Sequence, residues 1–261
     1  MTLFSQSNLK EMAISCGAKI TEAKNDIEYF DYPFKHIVID GIFPDELAEI
    51  CHENFPEPNI YDWEYSNNED IEIKYRTNWK SEFDIPEGIV DAVRILNSSI
   101  VIKALANRID IPKLVPDPYF TGGGLNATMP GGLLDVHVDG NYHDATGLNR
   151  RLNVLVYLNK GWQSEWGGEF CAYDNKGKHC VKKIAPLFNR LVAFDSHDFS
   201  FHGLPDPIAF PSGEFRKSII LYYYTLQPRH KNQIAVNEPH SALWVKRNLT
   251  DKHGKKNRNF F

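Results

Sequence analysis

From Tyr119 to Thr225 the chain is cut by Gly, Asn and Pro into short segments, many alternating apolar and polar residues. Side chains two apart on a strand share a face, so this pattern predicts an all-β sandwich or barrel. The expected strands are 123–129, 133–138, 150–158, 168–173, 179–184, 190–195, 199–202 and 215–225. Ahead of them the apolar spacing is helical, predicting helices over 8–24, 43–51, 87–97 and about 99–108, the last closing at Pro112. Asp45 and Glu46 fall in the first turn of the second helix, where the helix dipole favours acidic residues. A short β-branched strand is expected within Pro33–Asp40. Residues 57–84, polar and aromatic, read as a loop with a strand near Ile71–Tyr75, an ordinary covering loop or a substrate lid. Residues 241–261 are basic and polar and read as a solvated helix end or a disordered tail. No linker divides the chain, so one domain is expected over 1–261: mostly helical support in 1–112, a β core in 119–226 and the polar tail. The fold class is mainly β with N-terminal helices (α+β).

Composition narrows the partners. Hydrophobic residues make up 42% and charged residues 24%, the balance of an ordinary soluble globular protein. A net charge of −5 favours neither nucleic acid nor an anionic membrane as the main partner. No basic region followed by an apolar run opens the chain, and no apolar run approaches the roughly 18 residues that span a bilayer. Cys16, Cys51, Cys171 and Cys180 lack CxxC spacing and read as reduced thiols in a cytoplasmic protein. Cys171, His179 and Cys180 read as structural residues in preference to a zinc site, because structural zinc sites usually need two close ligand pairs. No oligomeric state is legible in the chain.

Chemistry concentrates in Leu133-Leu134-Asp135-Val136-His137-Val138-Asp139-Gly140. In an extended segment His137 and Asp139 point to one side and can grip a single metal ion. One imidazole and one carboxylate suit Fe(II), and a second histidine would complete a facial set with open positions. His197 and His202 compete for that place. His202 is favoured because it ends the expected strand 199–202 and precedes Gly203, whereas His197 falls in a polar turn. Arg216 and Ser218 share one face of an otherwise apolar strand. A buried guanidinium there needs a counter-charge, either a carboxylate ligand held by both arms or a protein salt bridge. Along 150–158, Leu152, Val154, Val156 and Leu158 line one face. Arg151, Asn153, Leu155 and Tyr157 line the other, which suits a pocket wall. Tyr157 is either a hydroxyl donor to that same carboxylate or a packed core tyrosine. Asn126, Arg151, Asn153 and His143 are candidates for substrate binding.

The order His137-x-Asp139, Arg151-Leu-Asn-Val-Leu-Val-Tyr157-Leu-Asn159, Trp162, Gly167-Gly168-Glu169, His202 and Arg216-x-Ser218 resembles the Fe(II)/2-oxoglutarate-dependent oxygenases. The nearest branch is that of the prolyl 4-hydroxylases in their bacterial and phage forms. The likeness covers about 119–226, with a weaker echo in Pro33–Pro56. It implies a double-stranded β-helix (a cupin-like jelly roll) with His137, Asp139 and His202 as iron ligands. It also implies Arg216, Tyr157 and Ser218 on the far carboxylate of 2-oxoglutarate, O₂ as co-substrate and ascorbate as a candidate reductant. The implied activity is hydroxylation of an unactivated C–H in an amino-acid, peptidyl or sugar-type substrate, releasing succinate and CO₂. Asp139 is an acid where related halogenases carry a small residue, which favours hydroxylation. Two departures stand out: Met129 occupies the place of a pocket tyrosine found in several prolyl hydroxylases, and the loop Leu204–Gly213 is enlarged. The alternatives are a cupin-like metal enzyme that does not use 2-oxoglutarate, in which Arg216 would pair with a protein carboxylate, and a non-catalytic jelly-roll binding module.

Overall fold

A computed structural model of the protein describes residues 3–59 and 61–245. In chain order the elements are α1 (Gln6–Thr21), β1 (Tyr29–Phe30), β2 (His36–Ile39), α2 (Asp45–Glu53), β3 (Trp63–Asn68), β4 (Glu72–Thr77), α3 (Glu87–Leu96), α4 (Ser99–Ile109) and β5 (Val115–Pro116). The β core follows as β6 (Gly124–Thr128), β7 (Leu133–Val138), β8 (Asn149–Tyr157), β9 (Phe170–Tyr173), β10 (Cys180–Ile184), β11 (Arg190–Asp195), β12 (His202–Leu204), β13 (Arg216–Thr225) and β14 (Leu243–Trp244). Most elements match their expected positions within a few residues. No helix among the described residues is long and apolar enough to cross a membrane.

The strands form one antiparallel sheet in the order β1-β2-β11-β8-β13-β6-β4-β7-β12-β9-β10. It curls on itself. Phe170, Ala172 and Ile184 of the last strands pack against Leu155, Tyr157, Val192 and Phe194 from the other half. This is the jelly-roll architecture. The opposite face of that larger half carries Leu152, Val154, Val156, Leu191, Ala193, Ile219, Leu221 and Tyr223, buried against the helices. Period-two alternation thus sends one set of side chains to the helical layer and the other into the curl. Each large aliphatic side chain fully buried there stabilises the fold by about 1.5–3 kcal/mol.

The helices form that cover for local reasons. The Ser5 hydroxyl caps α1 by accepting from the Asn8 amide, and Leu9, Ala13, Cys16 and Ile20 fall on its buried stripe. The Ser98 hydroxyl caps α4 in the same way through the Val101 amide.

Three expectations are corrected. Residues 57–84 are more than a loop with one strand: β4 matches the strand expected near Ile71–Tyr75, β3 makes a hairpin with it, and β4 joins the two halves of the sheet. Tyr75 and Arg76 pair with Ala127 and Asn126, while Glu72 and Ile73 pair with Leu134 and Leu133. Its strands are only partly buried, so they lack the apolar alternation that marks a strand. Cross-strand stacking of Tyr65 on Tyr75, with centroids 4.4 Å apart, holds them together instead. The strand expected at 199–202 begins only at His202, because Ser200 is held in a turn by its amide bond to the His197 carbonyl. The expected tail at 241–261 begins with β14, which pairs with β7 through Leu243 and Trp244. Residues 246–261 lie outside the described residues.

Asn189, buried with a left-handed φ of 58°, ties α2 to the sheet. Its Oδ1 accepts from the Phe43 amide (3.0 Å) and its Nδ2 donates to the Phe43 carbonyl (2.9 Å). Asn189→Ala removes both bonds, orphans two buried backbone groups and adds a left-handed strain. Urea unfolding is expected to show a loss of about 2–4 kcal/mol.

Candidate metal centre and adjoining anion site

His137 lies near the end of β7 and His202 opens β12, and the two are direct cross-strand partners. Asp139 follows one residue beyond the strand and turns to the same side. One donor atom from each of the three lies within 4.8 Å of the other two, and all three residues are buried. His137 Nε2 stands 3.7 Å and His202 Nε2 3.9 Å from Asp139 Oδ1. Each imidazole is oriented by the segment just before it: Nδ1 of His137 bonds the Asp135 carbonyl (2.8 Å) and Nδ1 of His202 bonds the Ser200 carbonyl (2.9 Å). A carbonyl can only accept, so both Nδ1 atoms carry the proton and both Nε2 lone pairs face the centre. Asp139 Oδ2 accepts a bond from Asn153 Nδ2 (3.0 Å), leaving Oδ1 toward the histidines.

Gly203 makes this pairing possible. A Cβ at that position would lie 2.7 Å from the Leu134 carbonyl oxygen and 2.9 Å from that of Asp135. Rings complete the walls: Phe170 stacks on His202 (5.4 Å), Phe194 tilts against it (4.6 Å) and Trp244 covers His137 (4.7 Å). Burial, and then the neighbouring His137, push His202 down to about 4. Burial acts to raise the Asp139 carboxyl, but His202 and His137 outweigh it and hold the group well below the usual carboxylate range. At neutral pH His202 is therefore neutral and Asp139 ionised, and together with His137 they form the donor set of a divalent metal site. It is the metal-capable group of three or more His, Cys, Asp or Glu residues among the described residues. The four cysteines are free thiols.

The triad opens into a cavity of about 410 Å³ whose wall also carries Arg216, Asn126 and Asn153. Arg216 Nε donates to the Gly168 carbonyl (2.7 Å), and its guanidinium lies 4.7 Å from the centroid of the Tyr157 ring. Gly168, at φ 83°, leaves room for this side chain: a Cβ there would stand 3.1 Å from Arg216 Cδ. No carboxylate forms an ion pair with Arg216 among the described residues. Around it, the Tyr157 hydroxyl, Ser218 Oγ and Asn126 Nδ2 are buried without a hydrogen-bond partner. Burial pushes the Tyr157 phenol up, against the pull of Arg216. Buried polar atoms this close together without partners, beside an unpaired cation, mark a place for an anionic ligand.

Two expected pocket residues lie elsewhere. Arg151 is the extra residue of a β-bulge: Tyr223 pairs with Leu152 and Tyr224 with Arg150. The bulge breaks the alternation, so Arg151 turns toward Asp195 (4.0 Å) and Arg150 takes its place on the cavity wall. His143 is buried against Asp117, with Nε2 to Oδ1 at 2.9 Å, and its Nδ1 accepts from the Ala145 amide. It braces a turn. Asn153 lines the cavity, and its amide is committed to Asp139. His197 stays outside the cluster, its Nδ1 accepting from the Phe199 amide. Sequence reasoning missed Arg150, Tyr222 and Trp244, as well as Glu72, Lys74 and Arg76 of the hairpin, all on the cavity wall. The paired arginines 150 and 151 were the available signal for the first, but only the bulge decides which one turns inward.

Asn153→Ala should leave the fold intact and free Asp139 to rotate. Equilibrium titration with Fe(II) or Co(II) is expected to show binding weakened by about 10–100-fold.

A family model described as the 2OG-Fe(II) oxygenase superfamily matches residues 123–224. The fold is similar to that of a prolyl hydroxylase from Trichoplax adhaerens, solved with a hypoxia inducible factor peptide. That protein is 17% identical, with 85% of this chain and 94% of that one covered at a TM-score of 0.56. A prolyl-4-hydroxylase from Pseudomonas putida is 16% identical over 82% of this chain and 98% of its own, with a TM-score of 0.54. A prolyl 4-hydroxylase from Phytophthora capsici is 18% identical over 86% and 68%, with a TM-score of 0.50. No curated protein matches the chain. Residues 123–224, the β core that carries His137, Asp139, His202 and Arg216, are the segment that matches the 2OG-Fe(II) oxygenase superfamily model.

Proposed function

We propose that the chain is an Fe(II)- and 2-oxoglutarate-dependent hydroxylase in which His137, Asp139 and His202 hold the metal. In this reading Arg216, Tyr157 and Ser218 hold the far carboxylate of 2-oxoglutarate. The observation that carries it is Arg216: a buried guanidinium with no protein carboxylate, ringed by partnerless polar atoms, on the wall of the cavity that contains the triad. A metal enzyme that did not use 2-oxoglutarate would leave that cation uncompensated. Residues 1–261 act as one unit, with the helices supporting the sheet from behind. The free cysteines fit a reducing, cytoplasmic compartment.

The metal and 2-oxoglutarate together supply the oxidation, in which O₂ and 2-oxoglutarate become succinate, CO₂ and one oxygen atom inserted into a substrate C–H. The chain's own residues prepare it. The Asp135 and Ser200 carbonyls fix both imidazoles, and Asn153 fixes the carboxylate. Arg216 is aimed by the Gly168 carbonyl. Tyr157 and Ser218 stand ready to donate hydroxyl protons to an anion. Phe170, Phe194 and Trp244 line the imidazoles with apolar surface and keep water from the reacting atoms. The substrate is a small molecule or a peptidyl residue.

The test is an anaerobic titration of the Fe(II) protein with 2-oxoglutarate, followed through the visible charge-transfer band. Wild type should develop the band and His137→Ala should not. Arg216→Gln loses charge-assisted bonds worth about 1.5–3 kcal/mol, so it should need roughly 10- to 150-fold more 2-oxoglutarate. An iron-loaded wild type without the band would sink the reading.

A further inference from the structure

With the triad assigned to the metal and Arg216 to 2-oxoglutarate, one charged group on the cavity wall has no role. Arg150 is turned inward by the bulge at Arg151 and lies flat over the Tyr222 ring (4.0 Å), with Tyr224 at 5.7 Å. Its Nε is buried without a hydrogen-bond partner. It makes no ion pair with a carboxylate among the described residues, although the other charges of the wall are answered. Lys74 pairs with Glu72 at 2.7 Å and Arg76 with Glu64. Asp139 belongs to the triad, and Asp144 sits exposed at the rim.

A second cation faces Arg150. An ideal Cβ on Gly122, at φ 77°, would stand 3.6 Å from Arg76 Nη1, 4.0 Å from Arg150 Nη2 and 3.4 Å from the Tyr222 ring. Two guanidiniums therefore approach one point from different strands, and the residue between them has no side chain to fill it. Arg76 uses its Nη2 for Glu64 and leaves Nη1 toward the gap. Guanidinium forks at such a spacing match a carboxylate or phosphate.

The charge balance agrees. A divalent metal offsets Asp139 with one positive charge to spare. Doubly negative 2-oxoglutarate offsets that charge and Arg216, and Arg150 remains. The segment His240–Trp244 forms one wall of the cavity. That segment is fastened by β14 and by the His240 amide donating to Asn141 Oδ1 (2.9 Å).

We propose that Arg150, with Arg76 across Gly122, receives an oxyanion of the substrate, which is therefore a small carboxylic acid or phosphate ester hydroxylated at a C–H near that group. This rests on the oxygenase reading. Arg150 determines specificity, and the competing outcome is a neutral peptide segment.

The experiment titrates the anaerobic Fe(II)·2-oxoglutarate enzyme with the common L-amino acids and dicarboxylic acids, the matching carboxamides, and O-phosphoserine. It reads the perturbation of the visible band and then, with O₂, succinate release. At least one free acid or phosphate should perturb the band, with its carboxamide at least 10-fold weaker. A response confined to O-phosphoserine would assign the site to phosphate esters, and one shared by the free acids to carboxylates. Arg150→Leu should form the band with 2-oxoglutarate yet lose the preference for anions, and Arg150→Lys should keep part of it. In metal-free protein, inorganic phosphate should raise the Tm of wild type more than that of Arg150→Leu. If Arg150→Leu does not fold, Arg76→Leu carries the same test with a smaller loss expected. Acids and carboxamides acting alike, no acid or phosphate acting at all, or variants that discriminate as wild type does would each overturn the proposal and leave the cofactor reading standing. A wild type that forms no band fails the cofactor reading instead.

Discussion

The close pairing of β12 with β7 is the constraint on which the site depends. It sets His202 directly opposite His137 and lets the ordinary two-residue period of an extended chain deliver Asp139 to the same spot. The approach is near enough that a methyl group on Gly203 would collide with two backbone carbonyl oxygens. The metal-capable cluster is thus built by backbone registration, and its side chains need little freedom to reach it. Both imidazoles bond a carbonyl two residues back on their own segment, so the same chain that positions each ring also sets its tautomer.

Burial works against every charge in this cavity, and the way each is answered separates structure from function. Lys74 and Arg76 are answered by Glu72 and Glu64. Asp139 is answered by the imidazoles and Asn153. Arg216 has the Tyr157 ring and the Gly168 carbonyl beside it, Arg150 has the Tyr222 and Tyr224 rings, and neither forms an ion pair with a carboxylate among the described residues. A desolvated guanidinium without a counter-charge is costly, and two of them on one cavity wall are the physical ground for reading it as a place for anions.

Much of this was legible in the sequence because β alternation is a short-range signal. His137, His202 and Arg216 sit in strands and Asp139 directly follows one, so counting by two gives their faces, and the structure brings them to one cavity. The failures come where counting by two is interrupted or where a distant partner decides. One bulged residue exchanges the roles of Arg150 and Arg151 and leaves every residue after Leu152 in phase. Of the hairpin Trp63–Thr77 only the second strand was legible; β3 escaped notice because it is largely exposed and is held by β4 and the Tyr65–Tyr75 pair. His143 looked free for substrate, yet Asp117 claims it from 26 residues upstream. Trp244 was hidden in a basic stretch that gave no hint of β7.

The distribution of wall residues along the chain has its own logic. The groups read as holding metal and 2-oxoglutarate all fall within the matched segment 123–224, as does Arg150. The remaining wall is made by Glu72, Lys74 and Arg76 from the hairpin, Thr121 and Gly122 ahead of β6, and His240–Trp244 beyond β13. These outlying pieces are fastened to the core by backbone ladders, β4 to β6 and β7, and β14 to β7. A ladder fixes the backbone and leaves outward side chains free to vary without disturbing the pairing. A cofactor site inside the core and a substrate wall laid onto it by such ladders can therefore change independently, which is how one fold hosts many substrates.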